Sequence, residues 1–288
     1  MHFVRARSIL NGRNGMNIYR GCQHGCIYCD ARSRCYQLNH VFEDIEVKEN
    51  ALELLEAALK SKRHPCMIGT GAMSDPYMPL ERELKRTRGF LELIEKYGFG
   101  ATLLTKSDLV LRDLDLLQRI NAKTKAVVQM SLTNCDETLE RFLEPNVCST
   151  RKRIAALKEF QAAGIPAVAW LCPVIPFLND TEENIRFLVE SCAEAGVKGI
   201  IQFGMGLTLR DGNREYFYSR LDRRYPGLKE RYIRTYGNAY VLPSPSEPRL
   251  MELFRELCEH YGIWHDNDRV FSYLQTMEEA QPQQLSFL

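Results

Sequence analysis

Short apolar or β-branched runs alternate along the chain with longer stretches in which apolar residues recur every three or four positions. That is the pattern of strand–helix units built around a parallel sheet. Six runs read as strands: Met16 to Arg20, Cys66 to Ala72, Ala101 to Thr105, Ala126 to Ser131, Ala167 to Cys172 and Lys198 to Phe203, with a helix after each. Between Glu182 and Ala195, the residues Ile185, Leu188, Val189 and Cys192 share one helical face, Asp180 and Glu183 suit a capping box, and Gly196 suits the stop. Thr150 to Ala163 repeats the design with Ile154, Leu157 and Phe160, and Gly164-Ile165-Pro166 returns the chain to a strand. Six units predict an α/β architecture, a partial (β/α)6 TIM-type barrel over residues 1–209.

The alternation ends after Leu209. Residues 210–276 read as a C-terminal extension packed on the barrel: an Arg- and Tyr-rich segment to Tyr240, a proline-rich run from Pro243 to Pro248, and a helix from Arg249 to Tyr261 that presents Leu250, Leu253, Phe254 and Leu257 on one face. Residues 277–288 read as a flexible tail. A chain of 288 residues that is 45% hydrophobic and 26% charged suits one large globular domain and excludes a disordered or fibrous class. Lys plus Arg number 38 and Asp plus Glu 37, so no global field draws the chain to nucleic acid or membrane, and any such affinity needs a local patch. The N-terminal residues lack the apolar core of a signal peptide, and the longest apolar stretch, Ile165 to Leu178, is short for a membrane span and holds three prolines. A cytoplasmic location is expected.

Ten cysteines are many for such a chain. Where disulfides are disfavoured, clustered cysteines read as metal ligands or catalytic thiols. Cys22, Cys26 and Cys29 fall within eight residues, in the segment from Tyr19 to Asp30. Three thiolates on one loop suit three corners of an iron–sulfur cube and leave the fourth iron open. A structural zinc ion with His24 as a further ligand is the alternative. Cys135 and Cys172 follow strands four and five closely and are candidate reactive thiols, whereas Cys66, Cys192 and Cys258 suit structural positions. A second cluster would need Cys35, Cys135, Cys148 and Cys172 to converge.

The CxxxCxxC spacing, with Tyr28 just before the last cysteine and the loop at the end of a first barrel strand, resembles the radical S-adenosylmethionine (SAM) superfamily. Further segments are similar to its spore photoproduct lyase-like branch over roughly residues 16 to 240: Asn17 to Cys22, Ser74 to Tyr77, Thr87-Arg88, Thr105-Lys106, Ser131 to Thr133, Leu143-Glu144-Pro145, Arg151 to Arg153, Pro173 to Pro176 and Asn179-Asp180. The resemblance implies a four-iron four-sulfur (4Fe-4S) cluster on Cys22, Cys26 and Cys29. It implies SAM chelated to the open iron, reductive cleavage to a 5'-deoxyadenosyl radical, and hydrogen abstraction from a substrate. It also implies a reductant of the flavodoxin or ferredoxin type, Tyr28 near the adenine, and Ser74, Lys106 and Ser131, with Asp75 beside them, at the bound SAM. Each of those last residues stands at a predicted strand end, the rim where barrel enzymes place their chemistry.

Two departures bear on function. Alignment on Ser74-Asp75 puts Ala72 and Met73 where the lyase carries its hydrogen-donating cysteine, and Asp30 stands where the lyase has a tyrosine. These argue against repair of spore photoproduct by the known relay. Between Arg210 and Arg234 basic residues interleave with Tyr216, Phe217, Tyr218, Tyr225 and Tyr232, which suits either a nucleic-acid surface or an amphipathic helix pair with its aromatics inward. The last five residues, Gln284 to Leu288, resemble the peptides by which bacterial DNA-processing proteins engage the sliding clamp. The expected substrate is nucleic acid, as in DNA repair or base modification. A peptide or small metabolite is the enzymatic alternative, and a DNA-associated protein with a structural metal is the non-enzymatic one.

Overall fold

A computed structural model describes residues 1–277; the clamp-like stretch Gln284 to Leu288 lies outside them. Six parallel strands form the central sheet in sequential order: β1 (Gly15–Met16), β2 (Met67–Thr70), β3 (Gly100–Thr105), β4 (Ala126–Ser131), β5 (Ala167–Trp170) and β6 (Gly199–Ile201). Gly15 pairs with Gly69, Ala101 with both Ile68 and Ala126, Val128 with Ala167, and Trp170 with Ile201. Every residue of β4 is buried, as expected of a parallel strand covered on both faces. The covering helices are α1 (Ala51–Ser61), α2 (Arg86–Tyr97), α3 (Leu114–Lys123), α4 (Thr150–Ala162) and α5 (Glu182–Glu194). Their apolar stripes, including Leu55, Phe90, Leu117, Leu157 and Leu188, join Ile68, Leu103 and Ala169 of the sheet in one core.

The sheet does not close, so the architecture is the partial TIM-type barrel that the alternation predicts. Each edge strand carries a single bridge on its outer side. Met16 of β1 bridges Leu10, and Gly199 of β6 bridges Trp264, where Ile200 N donates to Trp264 O at 2.8 Å.

The expected first strand divides between two sheets. Only Met16 of that run lies in β1, while Tyr19–Arg20 pairs antiparallel with Glu46–Lys48, which also pairs in parallel with His2–Val4. The cap of α5 differs too. Thr181 accepts from Asn184 N, and Asp180 instead accepts the Ser244 hydroxyl at 2.6 Å.

Beyond β6, Gly206–Thr208 pairs antiparallel with Val241–Pro243 across two helices, α6 (Asn213–Arg224) and α7 (Leu228–Tyr236). Phe217, Tyr218 and Tyr232 point inward with Leu207, Leu209 and Leu242. The Arg- and Tyr-rich segment is therefore an amphipathic pair with its aromatics mostly buried. Helix α8 (Glu247–Tyr261) packs along α5, and α9 (Asn267–Gln275), which periodicity alone did not predict, packs against β6 through Val270 and Leu274. Among the described residues, no helix is long and apolar enough to cross a membrane.

Candidate active site

The C-terminal ends of the strands open on a cavity of about 780 Å³. Ser74 and Asp75 follow β2, Lys106 follows β3, Ser131 ends β4, and Cys172 lies beyond β5. Facing them from the loop after β1 are Cys22, Cys26, Tyr28 and Cys29. The residues singled out in the sequence for cluster and SAM thus line one space.

The cysteine loop is held by its backbone. Gly21 has φ +83°, and a Cβ there would lie 2.3 Å from Phe42 O, so this turn requires glycine. Cys22 N donates to the same Phe42 O at 3.2 Å, Ile27 N to Leu143 O at 2.9 Å, and the Asn146 side chain to Gln23 O at 2.8 Å. The Ser74 hydroxyl donates to Gly21 O at 2.6 Å, so it ties the loop to the β2 rim. Gly71, at φ +103°, permits a still closer approach: a Cβ would lie 1.9 Å from Leu104 O.

Asp75 is the hub of that rim. Its Oδ1 accepts from Tyr77 N at 2.8 Å and from the Thr105 hydroxyl at 2.7 Å, and Oδ2 accepts from Lys106 N at 2.7 Å. Burial alone would raise its pKa, but the adjacent His24 and these donors outweigh burial and hold it below the usual carboxylate range. His24 Nε2 lies 3.0 Å from Asp75 Oδ2, and Nδ1 lies 3.1 Å from Asn146 O. Both ring nitrogens therefore face oxygen acceptors, and His24 is not turned toward the thiols as a zinc ligand.

Sulfur spacing points the same way. Tetrahedral zinc at about 2.3 Å holds its sulfurs roughly 3.8 Å apart. Among the described residues, Cys22, Cys26 and Cys29 do not form a group with all sulfurs within 4.8 Å of one another. The trio is too widely spread for one ion and suits a larger inorganic core. Burial pushes the Cys22 thiol up to about 12, with the Asp75 charge adding to it, and raises Cys26 and Cys29 as well. Thiolates in this pocket need a cationic centre to hold them.

Behind the cavity lies a buried ionic network that sequence reasoning did not assemble. The Tyr28 hydroxyl donates to Glu144 Oε1, and Arg153 donates from Nη2 to Glu144 and Glu140, from Nη1 to Ser131 O at 2.7 Å, and from Nε to Cys148 O at 3.1 Å. The Lys106 ammonium is 3.8 Å from Glu144 Oε1 and 5.9 Å from the Tyr28 ring centre. Burial raises the Glu144 pKa, but Arg153 and Lys106 prevail and bring it to about 2. Glu144 and Arg153 both belong to the matching stretches quoted above; the missing signal was their pairing, which only the fold supplies.

The remaining thiols separate. Cys172 lines the cavity, and burial raises it to about 11. Cys135 does not line the cavity; it lies in the turn before the short helix Glu137–Leu143, where its backbone N donates to Asn184 Oδ1 in the first turn of α5 at 2.8 Å. Cys148 donates to Lys106 O at 3.2 Å, and Cys35 is exposed beside Arg210. Cys35, Cys135, Cys148 and Cys172 thus do not converge on a second cluster. At the mouth stand Trp170, Phe203 and Tyr240, with Phe203 61% and Tyr240 45% exposed. Arg210 reaches the mouth as well, donating to the Tyr240 hydroxyl at 2.8 Å and lying 3.3 Å from Asp30 Oδ1.

A partial barrel with a three-cysteine loop at its rim is the architecture of a radical SAM enzyme. The model of the Radical SAM superfamily matches residues 16–189, and the chain belongs to that superfamily. It is accordingly an enzyme of the radical SAM type, a class that uses an iron–sulfur cluster and SAM and draws on a reductant. An uncharacterized protein of Mycobacterium tuberculosis is 30% identical over 283 residues, covering 92% of this chain and 82% of its own. An uncharacterized protein of Methanocaldococcus jannaschii is 38% identical over 169 residues, covering 58% and 62%. In fold, the chain is similar to a variant of spore photoproduct lyase, with a TM-score of 0.65 at 17% identity over 91% of this chain and 80% of the lyase. It is also similar to a lyase variant with bound AdoMet and dinucleoside spore photoproduct, with a TM-score of 0.62 at 18% identity over 86% and 74%.

Proposed function

We propose that Cys22, Cys26 and Cys29 hold a 4Fe-4S cluster with one iron free of protein ligands, that SAM lies in the adjoining cavity, and that the substrate is a nucleic-acid base. When bound, cluster and SAM together supply a carbon radical that takes hydrogen from the substrate. The chain's own residues bind and orient. Asp75 fixes the rim backbone at Lys106, the Lys106 ammonium meets an anionic carboxylate beside Tyr28, and Ser131 and Ser74 supply hydroxyls. The buried walls exclude water from the reacting atoms.

The substrate class rests on the exposed rings of Phe203 and Tyr240 at the mouth of the thiol-lined cavity, planar platforms of the kind on which unpaired bases stack. The likeness to a lyase structure holding a dinucleoside supports the same reading. Lyase-type repair is not proposed, because Ala72 and Met73 line the cavity where that enzyme has its thiol. Cys172 is the candidate hydrogen donor instead: its S–H hydrogen passes to the substrate carbon radical, and an electron from the reductant with a proton restores the thiol.

After anaerobic reconstitution, dithionite and SAM should release 5'-deoxyadenosine, and Cys26→Ala should abolish that release. A single-stranded oligonucleotide deuterated in its bases and sugars should pass label into 5'-deoxyadenosine, and Phe203→Ala should weaken its binding roughly tenfold. Label passing from a peptide or small metabolite and not from the oligonucleotide would overturn the substrate assignment.

A further inference from the structure

We infer that His2, His40 and Asp44 form a second metal site, for a divalent ion of the zinc class, separate from the cysteine loop. The parallel pairing of His2–Val4 with Glu46–Lys48 sets His2 opposite Glu46 and brings it to the turn in which Asp44 N donates to Val41 O at 2.9 Å. Among the described residues, these three make the one group of His, Cys, Asp or Glu side chains whose ligand atoms all lie within 4.8 Å of one another. His2 Nδ1 is 3.0 Å from Asp44 Oδ2, and the two imidazoles meet edge to face with centres 4.9 Å apart. The Met1 amino group takes the other Asp44 oxygen at 2.9 Å, which leaves Oδ2 toward the histidines.

The second observation is the state of His40. Its Nδ1 lies 3.0 Å from Val41 O. A carbonyl only accepts, so Nδ1 carries a proton and, in the neutral ring, Nε2 carries the lone pair. An imidazole fixed through one nitrogen on a backbone carbonyl is how proteins orient a metal ligand. The His40 side chain is 11% exposed, and Nε2 is buried without a hydrogen-bond partner, 3.8 Å from Glu46 Oε2, whose side chain is 13% exposed. A buried lone pair facing a carboxylate is costly, and a cation between them removes the cost.

Two imidazoles and a carboxylate select zinc or cobalt over calcium and magnesium, which take oxygen alone. Such an ion would staple the N-terminal strand to the turn whose Phe42 O receives Cys22 N. The untagged full-length chain, with its cluster reconstituted so that Cys22, Cys26 and Cys29 are occupied, should bind one further zinc per chain in anaerobic equilibrium dialysis. Cobalt bound in its place should show nitrogen and oxygen neighbours with imidazole scattering by X-ray absorption. His40→Ala and Asp44→Ala should each weaken zinc binding roughly tenfold or more with iron content unchanged. His2→Ala, at a half-exposed position, makes the same test without touching a buried side chain. Sulfur neighbours in the cobalt spectrum, zinc binding unchanged in the three variants, or no zinc beyond the cluster would overturn the assignment.

Discussion

Arg153→Met removes the cation between two buried carboxylates while keeping much of the side-chain volume. Arg153 is fully buried, and its donors serve Glu140, Glu144, Ser131 O and Cys148 O. Removing one member of such a network leaves uncompensated buried charge, worth about 3–5 kcal/mol. The Glu144 carboxyl provides a second route to the magnitude: the interval between its ordinary 4.5 and about 2 corresponds to roughly 3 kcal/mol. A folded-state pKa below the unfolded one stabilises fully above about 4.5 and loses that stabilisation as pH falls toward about 2. In the variant the Glu144 carboxyl keeps its burial but loses Arg153, the larger of its charge partners, so acid relieves its strain. Urea unfolding followed by far-UV circular dichroism should therefore show a gap of about 3–5 kcal/mol at neutral pH that narrows on acidification through this window. A gap under about 1 kcal/mol, or one indifferent to pH, would refute the reasoning.

Gly71→Ala should cost more than an ordinary surface change, because its Cβ would collide with Leu104 O at a positive φ; loss of soluble protein or a fall of several degrees in Tm is expected, read by differential scanning calorimetry. Asp75→Ala leaves Lys106 N and the Thr105 hydroxyl without their acceptor and should weaken SAM binding to the reconstituted protein roughly tenfold or more, measured by equilibrium dialysis under nitrogen. Cys172, raised to about 11 by burial, has roughly one part in a thousand as thiolate near pH 8. Iodoacetamide followed by peptide mass spectrometry should label exposed Cys35 well before Cys172, and equal rates would contradict the burial described.

Most of the barrel was legible because strands buried on both faces read as continuous apolar runs: Ala126 to Ser131 forms the expected strand without change. The first strand was not, since the run from Met16 to Arg20 has the same character in either of the two sheets it joins, and only the antiparallel pairing to Glu46–Val47 decides. The misplaced α5 cap has a similar origin: Asp180 is occupied by Ser244, 64 residues away. That Cys22, Cys26 and Cys29 share one loop was legible from spacing, and that Tyr28, Ser74, Asp75, Lys106 and Ser131 gather on the same cavity was legible from resemblance and strand-end position. Cys135 was misjudged because a few residues past a strand suffice for the chain to turn away from the cavity, as its bond to Asn184 records. Glu144 and Arg153 sit nine residues apart, across a helix start, where no periodicity links them.

An incomplete barrel leaves two outer strands whose free amides and carbonyls invite another molecule to dock and extend the array. Here the short β1 and β6 each spend part of that invitation on a neighbouring segment of their own chain, at Leu10 and at Trp264. Part of each outer strand's pairing capacity is thus already taken up by the chain itself, which leaves less of it open to a second copy.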